Sequence, residues 1–327
     1  MKVTIYNPRK DELGAFERFA KELGVELNYV YQELSKDTAE LANGTKAVSV
    51  QGSNVVDREA LKELKENGVD YLALRSIGYN NVDMDAAKEY GIRFSNVTYS
   101  TSSVADFTVM LMLMGIRKMD SIMMRNRAQD YSLQGVQGRE MHNMTVGIVG
   151  TGKIGATVAR NISGFGCKIL AYDPYENDSL KDILTYVSFE ELLEKSDIIT
   201  LHAPLFEANH HLINKETITK MKDGVCIINC GRGPLIDTKA LINGMKEGKI
   251  GAVGLDTIEG ELSVFHSDHH ESVINNDDMA ILKQFPNAII TPHCSFYTDQ
   301  AVSDMVENSL RSCVSFVTEG TSNWEIK

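Results

Sequence analysis

The sequence has little of what marks secreted, membrane-spanning or nucleic-acid-binding chains. Its five cysteines, Cys167, Cys226, Cys230, Cys294 and Cys313, are odd in number and scattered. None sits in a CxxC pair, so neither a disulfide framework nor a structural zinc site is expected, and a reducing cytoplasm is the simplest setting. No apolar run approaches the roughly 20 residues that span a bilayer. The longest candidate, Phe107–Ile116, is too short to do so. Lys2, Asn7, Arg9 and Lys10 break any apolar core at the start of the chain, so no signal peptide is expected there. Positive charge is scarce: 33 Lys and Arg stand against 45 Asp and Glu, a net charge of −12 at pH 7. That balance argues against nucleic acid and anionic membrane as partners. Solenoid-period repeats and low-complexity linkers are absent. What remains is an ordinary globular composition, 43% hydrophobic and 24% charged, over 327 residues, a length that fits two domains.

The stretch Met144–Asp173 organises the rest. Thr145–Val149 is a short β-branched run and reads as a buried strand. Gly150-Thr151-Gly152-Lys153-Ile154-Gly155 follows, then an apolar helical pattern to Ile162, then a second run, Lys168–Tyr172, ending at Asp173. Gly150 permits a sharp turn, Gly152 lets a pyrophosphate approach the backbone, and Gly155 lets helix and strand pack closely. The helix N-terminus offers free N–H groups and a positive dipole end to phosphate. Asp173 is placed to accept from the adenosine ribose hydroxyls. A 2′-phosphate beside this carboxylate would cost about 1–4 kcal/mol at roughly 4 Å. No Arg follows in Pro174-Tyr175-Glu176, so NAD is expected over NADP.

Upstream the chain repeats a βα rhythm. Strands are expected at Val3–Tyr6, Leu27–Tyr31, Ala47–Val50, Tyr71–Leu74 and Ile92–Phe94. Helices are expected at Asp11–Leu23, Asp37–Asn43, Asp57–Asn67 and Asp83–Tyr90, each opened by an Asp N-cap. Ser100–Arg117 reads as a long, nearly all-apolar helix, whose Met110, Met112 and Met114 suit core or subunit-interface packing. Beyond the fingerprint, further strands are expected at Ile198–His202, Val225–Asn229, Ala252–Leu255 and Ala288–Thr291. Ser188 to Glu191 reads as a capping box, and Asp237 as an N-cap. His266, His269 and His270 lie in the polar segment Val264–Asp278 without a firm ligand spacing, so no metal is expected there. The amphipathic helix after His293, with Val302, Met305, Val306 and Leu310 on its apolar face, is expected to return to the first domain. The fold class is therefore α/β: two doubly wound parallel-sheet domains with a cleft between them. A flavodoxin-like substrate domain takes residues 1–103 and 297–327, and a Rossmann dinucleotide domain takes residues 104–296.

In such sheets ligands bind beyond the carboxyl ends of the strands. There the sequence places Asn229-Cys230-Gly231-Arg232, Asp256-Thr257-Ile258-Glu259-Gly260-Glu261, and Thr291-Pro292-His293. Arg232 can fork onto a carboxylate or polarise a carbonyl oxygen. His293 can donate a proton to that oxygen as hydride arrives at carbon, and Glu261 can stabilise the imidazolium. The trio fits reduction of a 2-oxo acid.

With those residues in view, the chain resembles the D-isomer-specific 2-hydroxyacid dehydrogenases over nearly its whole length. RSIGYNNVDMDAAKEYGI, NVTYS, MTVGIVGTGKIG, DIITLHAPL, INCGRGPLIDT, GLDTIEGE and ITPHCSFYT carry the likeness. RSIGYNNVD, SVADFTVMLMLM and MTVGIVGTGKIG draw it toward the D-lactate dehydrogenase branch, including the pyruvate reducers of vancomycin-resistance clusters. The resemblance implies Arg232, Glu261 and His293 as catalytic residues. It implies cofactor contacts at Lys153, Ile154, Asp173, Ala203, Pro204, Asn209, Cys230, Gly231 and Asp256, beside Gly150, Gly152 and Gly155. It implies substrate contacts at Ile77, Gly78, Tyr79, Tyr99 and Phe296, with Tyr297 close by. Asp106 departs from the family's usual Glu, a change expected to affect packing more than chemistry. The nearest resistance enzymes lack an Asp at the position of Asp173, so their cofactor preference does not carry over. The expected activity is NAD-dependent reduction of pyruvate to D-lactate by a cytoplasmic homodimer. 2-Oxoisocaproate, phenylpyruvate or 2-oxoglutarate are the alternative substrates, and a non-enzymatic dinucleotide sensor is the rival from another class.

Overall fold

In the computed structural model, which describes residues 1–326, the chain divides into two compact units. One is Met1–Ser100 with the segment from Tyr297 on; the other is Thr101–Phe296.

The first unit holds β1 (Lys2–Tyr6), β2 (Glu26–Val30), β3 (Ala47–Gln51), β4 (Tyr71–Arg75) and β5 (Arg93–Ser95). They form one sheet in the order β2-β1-β3-β4-β5, and every pairing is parallel. Alternate residues feed opposite faces, as a pleated strand requires. Tyr6, Val48, Val50, Leu72 and Leu74 pack with Leu61 and Leu64 of helix Arg58–Glu66. Val3, Ile5, Ala47 and Ala73 pack with Phe16 of helix Leu13–Leu23 and with Val306, Leu310 and Cys313 of helix Asp299–Glu319.

Asp57 and Asp83 cap their helices, accepting from Ala60 N at 2.8 Å and Ala86 N at 2.9 Å. The other two expected caps fail. Helix Leu13–Leu23 follows Glu12, whose side chain makes no cap bond. Asp11 pairs instead with Arg9 at 3.0 Å, and the Glu12 carboxylate is committed to Arg75, also at 3.0 Å. Asp37–Asn43 contains only a 3-10 turn, Ala39–Ala42, entered from Thr38.

The second unit holds β6 (Thr145–Val149), β7 (Lys168–Tyr172), β8 (Thr185–Tyr186), β9 (Ile198–Leu201), β10 (Val225–Asn229), β11 (Ile250–Leu255) and β12 (Ala288–Ile290). Their order is β12-β11-β10-β9-β6-β7-β8, all parallel. The two-residue β8 was not expected, being too short to carry a periodic signal. Strand order reverses at β6, which lies between β7 and β9. That switch point is where an open α/β sheet binds its ligand.

Helix Ser102–Ile116 belongs to this unit and packs on helix Lys153–Ser163 and on β10 and β11. The division thus falls after Ser100, where the sequence reading set it after residue 103. Leu111 and Met112 are fully buried, while Met110 is 40% exposed, so the helix is not hidden on every side. Ser188 Oγ accepts from Glu191 N at 3.1 Å; the Glu191 carboxylate turns to Lys195 at 2.6 Å. Asp237 caps helix Thr238–Lys246 through Ala240 N at 3.0 Å. Among the described residues no helix is long and apolar enough to cross a membrane.

Candidate active site

The turn after β6 is forced by its glycines. Gly150 has φ +92°, and a Cβ there would stand 2.8 Å from Ala203 N. A Cβ on Gly155 would lie 2.0 Å from the Gly150 carbonyl oxygen, so only glycine lets helix Lys153–Ser163 sit this close to the strand. A Cβ on Gly152, just before Lys153 and Ile154, would meet nothing within 4 Å. Open space therefore lies over the first turn of the helix, where unpaired backbone N–H groups face outward, and a pyrophosphate fits it.

Asp173, after β7, is tied into that turn. Its Oδ2 accepts from Thr151 N at 2.6 Å and Thr151 Oγ1 at 3.2 Å, and its Oδ1 accepts from Tyr175 N at 2.9 Å. Expected to face a ribose from its place after the second strand, this carboxylate also braces the glycine loop. Across the switch point, β9 runs into His202, Ala203 and Pro204. Asn209 closes the loop beyond, donating to Pro204 O and accepting from Phe206 N, both at 2.7 Å. His202, which sequence reasoning passed over, has Nε2 2.9 Å from Thr200 Oγ1. Its Nδ1 is buried and unpartnered. Burial pushes its pKa down to about 4, so the ring is neutral at physiological pH.

The next three strand ends carry the polar cluster. After β10, the buried Asn229 side chain accepts from Gly231 N at 3.0 Å and donates to Arg232 O at 2.9 Å, which closes a tight loop. The Arg232 guanidinium donates from Nη1 to Gly231 O at 2.8 Å. The Cys230 thiol is buried and pushed up to about 12, hence neutral. After β11, the fully buried Asp256 accepts from Thr291 Oγ1 at 2.6 Å, Cys294 N at 2.9 Å and Ser295 N at 2.9 Å. Its own carbonyl accepts from His293 N at 2.9 Å. Asp256 thus binds the segment that carries His293.

Glu261 Oε2 accepts from Ile258 N at 2.7 Å, and its Oε1 stands 2.6 Å from His293 Nδ1. A carboxylate can only accept, so Nδ1 carries the hydrogen and Nε2 is left to gain or lose a proton. The ring is 32% exposed and the Glu261 side chain 13%. His293 holds a left-handed backbone, φ +49°, and its carbonyl oxygen lies 3.1 Å from His266 Nε2. Phe296 meets the His293 ring edge-on, centroids 6.5 Å apart. The other loop histidines turn elsewhere, His269 to Ser272 and His270 to Asp268.

The remaining expected residues belong to the first unit. Ser76 Oγ donates to Gly78 O at 2.7 Å, Asn96 Nδ2 to Ile77 O at 2.8 Å, and Val97 N to Ser76 O at 3.0 Å. These bonds fix the loop after β4 against the segment after β5. Tyr79 lies with its ring centroid 6.3 Å from Phe94. Around Tyr99 the chain is held by the last helix, Ser100 N donating to Asp304 at 2.8 Å and Asn308 Nδ2 to Thr98 O at 2.6 Å.

Comparison with known proteins bears directly on this arrangement. Residues 109–295 match the family model described as D-isomer specific 2-hydroxyacid dehydrogenase, NAD binding domain. An aromatic 2-oxoacid reductase of Clostridium sporogenes is 45% identical over 323 residues, 98% of both chains. Two solved structures are each 36% identical to this chain, covering 100% of it and 99% of their own length. They are D-2-hydroxyisocaproate dehydrogenase, with TM-score 0.91, and a D-lactate dehydrogenase from Sporolactobacillus sp, with TM-score 0.87.

Proposed function

We propose, for a chain that belongs to the D-isomer specific 2-hydroxyacid dehydrogenase family, that Arg232, Glu261 and His293 perform the proton and charge chemistry of 2-oxo acid reduction. As a member of that family the protein is an oxidoreductase with NAD as its cofactor. The observation that carries the assignment of roles is the 2.6 Å contact between His293 Nδ1 and Glu261. Bound NADH supplies hydride to the keto carbon. His293 gives the proton held at Nε2 to the keto oxygen, and Glu261 stabilises the imidazolium before that transfer. Arg232 pairs with the substrate carboxylate or with the developing charge on oxygen. Asp256 holds the 291–295 segment so that the ring keeps its place. Gly150, Gly152, Lys153, Ile154 and Gly155 are assigned to the pyrophosphate and Asp173 to the ribose. Ala203, Pro204, Asn209, Cys230, Gly231 and Asp256 are assigned to the cofactor, and Ile77, Gly78, Tyr79, Tyr99 and Phe296 to the substrate, on the family resemblance.

The substrate we favour is an aromatic 2-oxo acid. Support comes from the reductase named for that class, 45% identical, against 36% and 38% for two D-lactate dehydrogenases of solved structure. Pyruvate stands as the second reading, on the sequence pieces that resemble the D-lactate branch. Steady-state kcat/KM for phenylpyruvate, 2-oxoisocaproate and pyruvate with saturating NADH decides between them, because each methylene moves such ratios by roughly 10–200-fold. Phenylpyruvate is expected to lead; a lead for pyruvate overturns this choice, and silence across the panel with tight NADH binding leaves only a sensor.

We further propose a homodimer in the cytoplasm. The five free cysteines suit a reducing compartment. Met110, Met119, Met123 and Met124 are exposed on the second unit and offer an apolar surface for a second copy. Sedimentation at micromolar concentration tests it, with a monomer as the contrary result.

A further inference from the structure

We propose that His210, His211 and Glu259 form a binding site for one borderline divalent cation, of the Zn2+, Co2+ or Ni2+ class. The histidines follow a short turn after β9, and Glu259 lies in the loop after β11. The fold brings these two loops together: one nitrogen of each ring and a Glu259 oxygen all lie within 4.8 Å of one another. His211 Nε2 is 2.7 Å from Glu259 Oε1, and the two imidazoles stack with centroids 3.9 Å apart. Two imidazoles and a carboxylate, with no thiolate, are a donor set for zinc-like ions, with a fourth position left for water.

The donors are also braced from behind, as ligands that keep their geometry are. Glu259 Oε2 accepts from Thr238 N at 3.1 Å and Thr238 Oγ1 at 2.8 Å, which leaves Oε1 for the ion. His211 holds a left-handed backbone, φ +54°. Its N–H donates to Pro234 O at 2.8 Å, and its carbonyl accepts from Asn214 Nδ2 at 2.9 Å. Neither ring nor carboxylate has to travel far. On binding, the hydrogen between His211 and Glu259 moves to the other ring nitrogen, and the freed lone pair turns to the cation. The ion then clamps the loop after β9 to the loop that ends in Glu261. The three histidines that the sequence puts closest together do not converge in this way; the site joins residues 48 positions apart.

The test uses the full-length protein without an affinity tag, stripped by chelator and titrated with Zn2+ by calorimetry and with Co2+ by visible absorption. Expected is one ion per chain, a tetrahedral Co2+ spectrum, and a higher melting temperature with Zn2+. His210→Ala and Glu259→Gln each remove a ligand and should weaken binding by at least roughly 10–100-fold, the range for losing only a partner behind a ligand. The exposed His210→Ala should keep full metal-free turnover, which shows that the variant is folded and separates this site from the reductase assignment. Uptake lost in a His269→Ala, His270→Ala double variant, unchanged in His210→Ala, or absent at millimolar ion would each overturn the proposal.

Discussion

The two units use similar scaffolds to opposite ends. Each is a parallel sheet whose strand order reverses within it, so each has strand ends suited to a ligand. In the first unit the end of β4 is held shut by an ion pair. Arg75, at the end of β4, is buried with Glu12 at 3.0 Å, and it also donates to Ser49 Oγ at 3.0 Å and Tyr6 O at 2.9 Å. The Arg75 charge there is spent on protein. In the second unit the ends carry a glycine turn with open space over it and an imidazole one-third exposed beside a carboxylate. Equal topology therefore does not decide where chemistry occurs; the choice between satisfying a charge internally and leaving a proton-bearing atom free does.

That contrast can be broken by substitution. The largest effect belongs to His293→Ala. It removes a proton donor and no cofactor contact, so kcat should fall about 10²–10⁴-fold while NADH still binds. Stopped-flow and fluorescence titration check both halves, and lost NADH binding with intact kcat would contradict the role. Next comes Glu12→Gln in the first unit, which strands the buried Arg75 charge. A loss of about 3–5 kcal/mol in chemical denaturation is expected, with the residual folded enzyme as active as before. A loss under about 1 kcal/mol would mean that the pair is not truly shut off from water.

Asp173→Ala is smaller and sharper. It should narrow the preference for NADH over NADPH by up to about 1–4 kcal/mol in relative kcat/KM. Because this carboxylate also accepts from Thr151 N, NADH itself should bind more weakly; an unchanged ratio would refute the ribose assignment. Near neutral pH the smallest effect is at His202, whose folded pKa of about 4 lies below the ordinary imidazole value. The unfolded chain takes up that proton first, so stability should be full above about pH 6.5 and fall by about 1.4 kcal/mol per unit toward pH 4. His202→Gln should lack this slope in urea melts measured across that range. Parallel curves for the two proteins would place the ring in solvent.

What could be read from the sequence was local. The turn, Asp173 and the strands on either side fall within thirty residues and declare themselves by spacing. Asp57 and Asp83 were legible as caps because the bond is to a backbone N–H three residues on. Glu12 was not, because its partner Arg75 is 63 positions away. Nor was β8, two residues long with no period to detect. Arg232, Glu261 and His293 were legible as a chemical set after strands, with the geometry between them left open. That His293 faces Glu261, and that Asp256 spends both its oxygens on the 291–295 segment, follows from sheet order. His202 gave no signal, since nothing in a chain of letters marks a nitrogen sealed without a partner.

Position 293 is contested ground. Its main chain adopts a shape that a residue without a side chain takes freely and that others hold at a penalty of about 1–3 kcal/mol. A purely architectural protein would relax this corner with glycine. Here an imidazole occupies it, so part of the enzyme's margin of stability is permanently diverted into aiming one ring.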